Sequence, residues 1–292
     1  MKKSLVPYIQ LHLAVFLYGL TAILGDLITI PAASLVWWRV LLTSASLLFF
    51  IGFGKALLSI STRHTIQLLS IGIVIGIHWV TFYGSIKYAN ASIALIALST
   101  TTFFTSFIEP LVFKRKPDLI QIVFGLLVIP GIYLIVKNIS SYMMTGLYIG
   151  IVSAFMASLF SVLNKTLVDK IDPFPMTFLE MLGVLIFLSI LLPFLREPYF
   201  TPFLPEMTDW YYLLFLALFC TTLAYYLGLL ALKKLSAFET NLIVNLEPVY
   251  GIILAIIILK EHHELNLRFY LGVLIILIVV FSYPYAKKYL SR

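Results

Sequence analysis

The chain of 292 residues is 61% hydrophobic and only 11% charged, with a mean hydropathy of +1.04. A soluble domain carries about 25% charged residues, so this composition excludes a water-soluble globule and makes lipid the solvent for most of the exterior. The net charge of +7 does not point to nucleic acid, because the lysines and arginines form short clusters between apolar stretches, where membrane proteins carry topology signals.

A hydrocarbon core about 30 Å thick needs roughly 20 apolar residues per helix. The sequence predicts an all-α integral membrane protein of ten transmembrane helices, over 8–25, 34–52, 66–86, 90–113, 119–136, 146–163, 174–195, 210–232, 236–259 and 267–284. Met1-Lys2-Lys3 precedes the first apolar run, which continues to about Gly25 without a small-x-small cleavage site. That run reads as a retained helix rather than a secretory signal. The second segment carries Trp37-Trp38-Arg39 near its outer end. The tryptophans read as part of an aromatic belt, and Arg39 either snorkels outward or faces the interior. The third places His78, Thr81 and Ser85 on one face and contains Gly72-x-x-x-Gly76, a close-packing surface. The fourth has Ser99-Thr100-Thr101-Thr102 at mid-depth, a run that reads first as packing or as bonding the preceding turn. It also has Glu109-Pro110 nearer its inner end, where Glu109 either snorkels inward or faces the interior.

In the second half, Gly146-x-x-x-Gly150 reads as another packing surface, and Glu180 lies about six residues into the seventh segment. Glu180 is a candidate gate residue, a partner for Lys165, or the counter-ion of a cationic substrate. Cys220 is the single cysteine, so neither a disulfide nor a thiolate metal site is expected. The ninth segment carries Asn241, Asn245 and Glu247-Pro248. Glu247 is too deep to snorkel, and Pro248 frees the carbonyl of Val244, so a bend is expected there. In a straight helix Asn241 and Asn245 share a face from which Glu247 points away. Either the bend unites them, or one set serves helix packing. Glu261-His262-His263-Glu264 lacks metal-ligand spacing and reads as a solvated loop. No metal or cofactor is expected.

Loop charge sets an expected orientation. Lys114-Arg115-Lys116, Lys165, Lys170, Lys233-Lys234 and Lys287-Lys288 all fall on one side, with Lys2 and Lys3. The positive-inside bias then puts both termini of a multi-pass cell (inner) membrane protein in the cytoplasm. A shift of 146 positions lays Lys114 over Lys260, and Lys87-Tyr88-Ala89-Asn90-Ala91 over Lys233-Lys234-Leu235-Ser236-Ala237. Two halves are therefore expected, 1–140 and 141–292. Five crossings per half, an odd number, would insert them as inverted repeats, a common construction of secondary transporters. The same shift sets Ser99–Thr102 opposite Asn245–Pro248.

These features resemble the EamA family of the drug/metabolite transporter superfamily. The residues that carry the resemblance are Tyr18-Gly19, Arg39 after a short outer loop, and Leu235-Ser236-Ala237 … Asn245-Leu246-Glu247-Pro248-Val249 … Leu259-Lys260-Glu261. Tyr18 stands where the family often has Trp, and Phe113-Lys114-Arg115-Lys116 where a Gly-Glu-Arg-like end is common. The resemblance implies ten helices around a central cavity, alternating access, and export of amino acids or related small metabolites. Glu247, Asn245, Asn241, Glu180, Arg39, His78 and Thr101 are the candidate residues for a small-molecule substrate, with proton coupling through a buried carboxyl. Three rivals are weaker. An intramembrane enzyme lacks a recognisable nucleophile–base pair, and a scaffold or receptor predicts large loops. A carrier of anionic sugar phosphates needs several cations at mid-depth, where Arg39 stands alone.

Overall fold

The computed structural model describes residues 5–51, 55–136, 140–141, 143–195, 199–260 and 267–290. Its helices, in chain order, are α1 (Val6–Leu27), α2 (Ala32–Ile51), α3 (Lys55–Leu58), α4 (Thr62–Tyr88), α5 (Ala91–Leu98), α6 (Thr101–Phe113), α7 (Leu119–Val136), α8 (Met143–Leu167), α9 (Pro173–Leu191), α10 (Met207–Ala217), α11 (Ala224–Leu232), α12 (Ala237–Val244), α13 (Glu247–Leu254) and α14 (Leu267–Leu290). Among the described residues nine helical spans are long and apolar enough to cross a bilayer, and the shorter α7 is a tenth candidate. Helices dominate because lipid offers no partner for free backbone N–H and C=O groups. The Glu261–Glu264 cluster lies outside the described residues.

The span Ala91–Phe113 is the most interior, with 78% of its apolar window buried, whereas Tyr270–Tyr289 has 25%. Around that interior span, α4 packs along α8 and α9, α2 lies against α9, and α1 runs beside α11 and α13. Helices α7 and α14 pair at the periphery. Close approach uses glycine where backbones touch. A Cβ on Gly72 would meet the Glu180 carbonyl at 2.4 Å, and one on Gly183 would meet the Leu69 carbonyl at 2.5 Å. Gly146 and Gly150 face Ser85, Ala89 and Ala97 in the same way, and the Ser85 hydroxyl donates to the Gly146 carbonyl at 2.7 Å. Both small-x-x-x-small pairs are packing surfaces.

Two spans are broken in the middle. The break in the ninth lies at Asn245–Leu246, between α12 and α13, and Pro248 occupies the first turn of α13. The matching break, 146 positions earlier, lies at Ser99–Thr100 between α5 and α6 and contains no proline. There the hydroxyls of Ser99, Thr100 and Thr101 donate to the carbonyls three residues back at 2.6, 2.7 and 2.6 Å. Pro248 marks one break from the first turn of α13, and side-chain hydroxyls capture carbonyls at the other. Both spans also end in a left-handed residue, Lys114 (φ 52°) and Lys260 (φ 59°), again 146 apart.

A carboxylate ties the two broken spans together. Glu109 is buried and accepts from the Phe238 amide at 2.9 Å, in the first turn of α12. It does not snorkel: it binds the positive end of a half-helix. Glu109→Ala should lower stability by about 1–3 kcal/mol, because a buried N–H loses its acceptor. Glu109→Gln keeps an acceptor and should cost less. Thermal unfolding in detergent separates the two, and equal midpoints for both variants would contradict this role.

Candidate functional site

The broken spans, with α1, α2, α4, α8 and α11, enclose a cavity of about 120 Å³. One water needs roughly 10–15 Å³ on this measure, so the space suits a small organic molecule. Its walls include Leu11, Tyr18, Phe82, Leu98, Phe160 and Val244, with polar positions at Arg39, His78, Thr101, Ser161, Asn164, Tyr225, Asn241 and Glu247.

Arg39 is 2% exposed and faces the interior, so the outward-snorkelling option fails. Its Nε donates to the Thr221 hydroxyl at 2.7 Å, and Nη1 donates to the Tyr83 hydroxyl at 2.8 Å. The guanidinium carbon lies 3.9 Å from the Trp79 ring centroid, a cation–π contact. Thr221 sits in a π-helical turn, Leu218–Leu223, and its hydroxyl donates five residues back to the Leu216 carbonyl at 2.7 Å. That local widening brings Thr221 towards α2. Trp37 and Trp38 point to neighbours rather than only to a lipid interface. The Trp37 indole donates to the Ser189 hydroxyl at 2.9 Å, and that of Trp38 to the Phe203 carbonyl at 2.8 Å.

Glu247 is 5% exposed and starts α13. Among the described residues its carboxyl has no hydrogen-bond partner, and no Lys, Arg or His nitrogen lies within 4.0 Å. Arg39 likewise has no carboxylate within that distance, although the two charges act on one another across the cavity. One positive and one negative group thus share an apolar enclosure without pairing.

The remaining candidates divide. Asn241 lines the cavity, but its amide is occupied: Nδ2 donates to the Thr105 hydroxyl at 2.8 Å, and Oδ1 accepts from Ser161 at 3.1 Å. Asn245 is outside the lining and donates to the Thr102 hydroxyl at 2.7 Å. The break thus brings Asn241 and Glu247 onto one cavity and leaves Asn245 to helix packing, and the two polar patches meet directly through Asn245 and Thr102. Thr101 reaches the cavity, though its hydroxyl bonds the Leu98 carbonyl. His78 Nδ1 lies 3.0 Å from the Ser153 carbonyl, and the Ser153 hydroxyl donates to the His78 carbonyl at 2.9 Å. The Ser153 hydroxyl also lies 2.8 Å from Nδ1, so Ser153 holds the ring through both its backbone and its side chain.

Glu180 stands behind the wall and accepts from the Tyr225 hydroxyl at 2.8 Å. Its pairing with Lys165 is not observed. The Lys165 ammonium donates to the Leu232 carbonyl at 2.8 Å and approaches Asp169 at 3.7 Å. Sequence reasoning passed over Trp79, Tyr83, Asn164, Thr221 and Tyr225. Asn164 fell one residue beyond the predicted segment 146–163, whereas α8 continues to Leu167. The aromatic residues gave no signal, since tyrosine and tryptophan in apolar runs usually serve packing or the interface.

The EamA-like transporter family model matches residues 6–137 and 144–283. An uncharacterized transporter, YetK, of Bacillus subtilis (strain 168) is 25% identical over 275 residues, which span 90% of this chain and 82% of that protein. A solved protein crystal structure shares the fold at a TM-score of 0.71, with 12% identity, covering 95% of this chain and 96% of the other. With the family match running over both halves of a multi-pass helical bundle, the chain belongs to the EamA-like transporter family.

Proposed function

We propose that this transporter exports amino acids or closely related zwitterionic metabolites across the cell membrane by alternating access. The observation that carries this reading is the unpaired Arg39 and Glu247 on one small, largely apolar cavity. A buried single charge is costly until a partner arrives. A zwitterion would supply both partners at once, its carboxylate to Arg39 and its ammonium to Glu247, while its side chain meets the aromatic wall. Glu247 is also positioned to exchange a proton with the cavity. Thr101, His78 and Asn241 shape the enclosure, and Asn245 holds the break that presents Glu247.

The halves 1–140 and 141–292 would be inverted repeats, with both termini cytoplasmic. Support comes from the breaks at Ser99–Thr100 and Asn245–Leu246 and the left-handed ends at Lys114 and Lys260, all offset by 146 residues. Rocking of one half against the other about these breaks would expose the cavity alternately. A sugar-phosphate dianion fits less well, since Glu247 would repel it and Arg39 is the one Lys or Arg side chain among the described lining residues.

A thermal-shift screen of the purified protein against amino acids, nucleosides and sugar phosphates tests this reading. A ligand at 100 times its Kd stabilises by about 2.7 kcal/mol. Amino acids should raise the unfolding temperature of the native protein, and Glu247→Gln should abolish the rise. Stabilisation by sugar phosphates alone would refute the zwitterion assignment.

A further inference from the structure

A second polar cluster lies behind the cavity wall at the junction of α8, α9 and α11. Glu180 is fully buried, and its Oε2 accepts from the Tyr225 hydroxyl at 2.8 Å. The Tyr225 oxygen in turn accepts from Asn164 Nδ2 at 2.8 Å. Two atoms that would act only as acceptors around an ionised carboxylate, Glu180 Oε1 and Asn164 Oδ1, are shut off from solvent without a hydrogen-bond partner. Such orphans are rare in folded proteins and call for an explanation. Tyr225 and Asn164 both line the cavity, so the cluster touches the space that the substrate would occupy.

The groups around Glu180 leave its charge uncompensated. On α2, Arg39 is held by Thr221 and Tyr83. On α4, His78 is held by Ser153, Arg63 and His64 lie in the first turn, and Lys87 at the far end donates to the Ile28 carbonyl. On α8, Lys165 is held by Leu232 and Asp169. On α11, Tyr226 packs edge-on against Phe174, and only Tyr225 touches the carboxyl. An ionised carboxylate held by the neutral side chains of Tyr225 and Asn164 and by no cation carries a heavy desolvation penalty. A proton on Oε2 removes that charge and leaves Oε1 a neutral carbonyl oxygen, whose burial costs far less.

We propose that Glu180 is a proton-binding site of the transporter, separate from Arg39 and Glu247, and that Tyr225 connects it to the cavity. The proposal rests on reading the cavity as the transport path. Proton uptake would run through the phenol. Tyr225 passes its hydroxyl proton to Glu180 Oε2 while its oxygen receives one from a hydronium ion in the cavity, which becomes water. The phenol thus ends as it began, and the carboxylate becomes a carboxylic acid. Release reverses both transfers. Because the cluster joins three helices, losing the proton leaves an unpaired charge at their junction and favours a rearrangement there.

Infrared difference spectra of the full chain in liposomes, taken across buffer pH steps with protons as the sole ligand, test the site. The native protein should show a carboxylic-acid C=O band that disappears as pH rises. Glu180→Gln should lose that band, and Glu247→Gln should keep it. Tyr225→Phe should shift the band and slow its response, because the hydrogen bond to Oε2 and the relay are both gone. The Tyr225→Phe shift remains a test even if Glu180→Gln fails to fold. An identical band in Glu180→Gln, or an unshifted one in Tyr225→Phe, overturns the proposal. These readouts use no substrate, so they stand apart from the thermal-shift test of the zwitterion reading.

Discussion

Arg39→Met should weaken binding of a carboxylate-bearing substrate by roughly two to three orders of magnitude while leaving the protein folded. Removing one partner of a buried, hydrogen-bonded charge pair costs about 2–5 kcal/mol, and each 1.4 kcal/mol is about tenfold in affinity. Methionine retains an apolar stem against Trp79, which limits the loss of packing. Thr221 keeps its own bond to the Leu216 carbonyl, so the local structure survives. Arg39→Lys should fall between the two, since an ammonium keeps the charge but loses the fork that spans Thr221 and Tyr83 and the stacking on Trp79. The measurement is the ligand-induced shift in unfolding temperature with an amino acid that stabilises the native protein. An undiminished shift in Arg39→Met would remove Arg39 from the site.

Gly183→Leu should have the largest effect on folding. The first added carbon would sit 2.5 Å from the Leu69 carbonyl oxygen and 2.9 Å from its Cα. Both neighbours are backbone, so relief requires α4 and α9 to separate. Overpacking typically costs about 1–3 kcal/mol, and here it also moves the turn of α9 that carries Glu180. Gly84→Ala is the control, because its nearest neighbour would be an isoleucine methyl at 3.6 Å, an ordinary contact. Unfolding midpoints and folded yield in detergent should drop for Gly183→Leu and hold for Gly84→Ala. Equal midpoints would show that the helices have slack at this contact.

The contrast between Pro248 and Ser99 explains why one break was readable and the other was not. A proline announces itself, since its missing amide proton must leave a carbonyl unpaired. Serines and threonines in a membrane helix ordinarily bond the preceding turn without breaking it, so Ser99–Thr102 read as packing. Only with α5 and α6 in place is it visible that three successive hydroxyls capture carbonyls at i−3 and end the helix. Glu109 is a second case. Its depth in the chain allowed snorkelling, and the Phe238 amide that holds it comes from 129 residues away.

Apolar run length, charge clusters and the 146-residue recurrence were legible without coordinates because each depends on residue type and order along one chain. They carried the membrane class, the helical segments to within a few residues, and the resemblance to the family. The state of a buried charge depends on what surrounds it, and that comes from helices distant in sequence. Tertiary packing alone decided that Arg39 turns inward onto Trp79, that Asn245 clamps Thr102 instead of facing the cavity, and that Glu180 meets Tyr225 rather than Lys165. It also decided that Arg39 and Glu247 lie on one cavity without touching, since in lipid a polar side chain takes whichever partner the neighbouring helix presents.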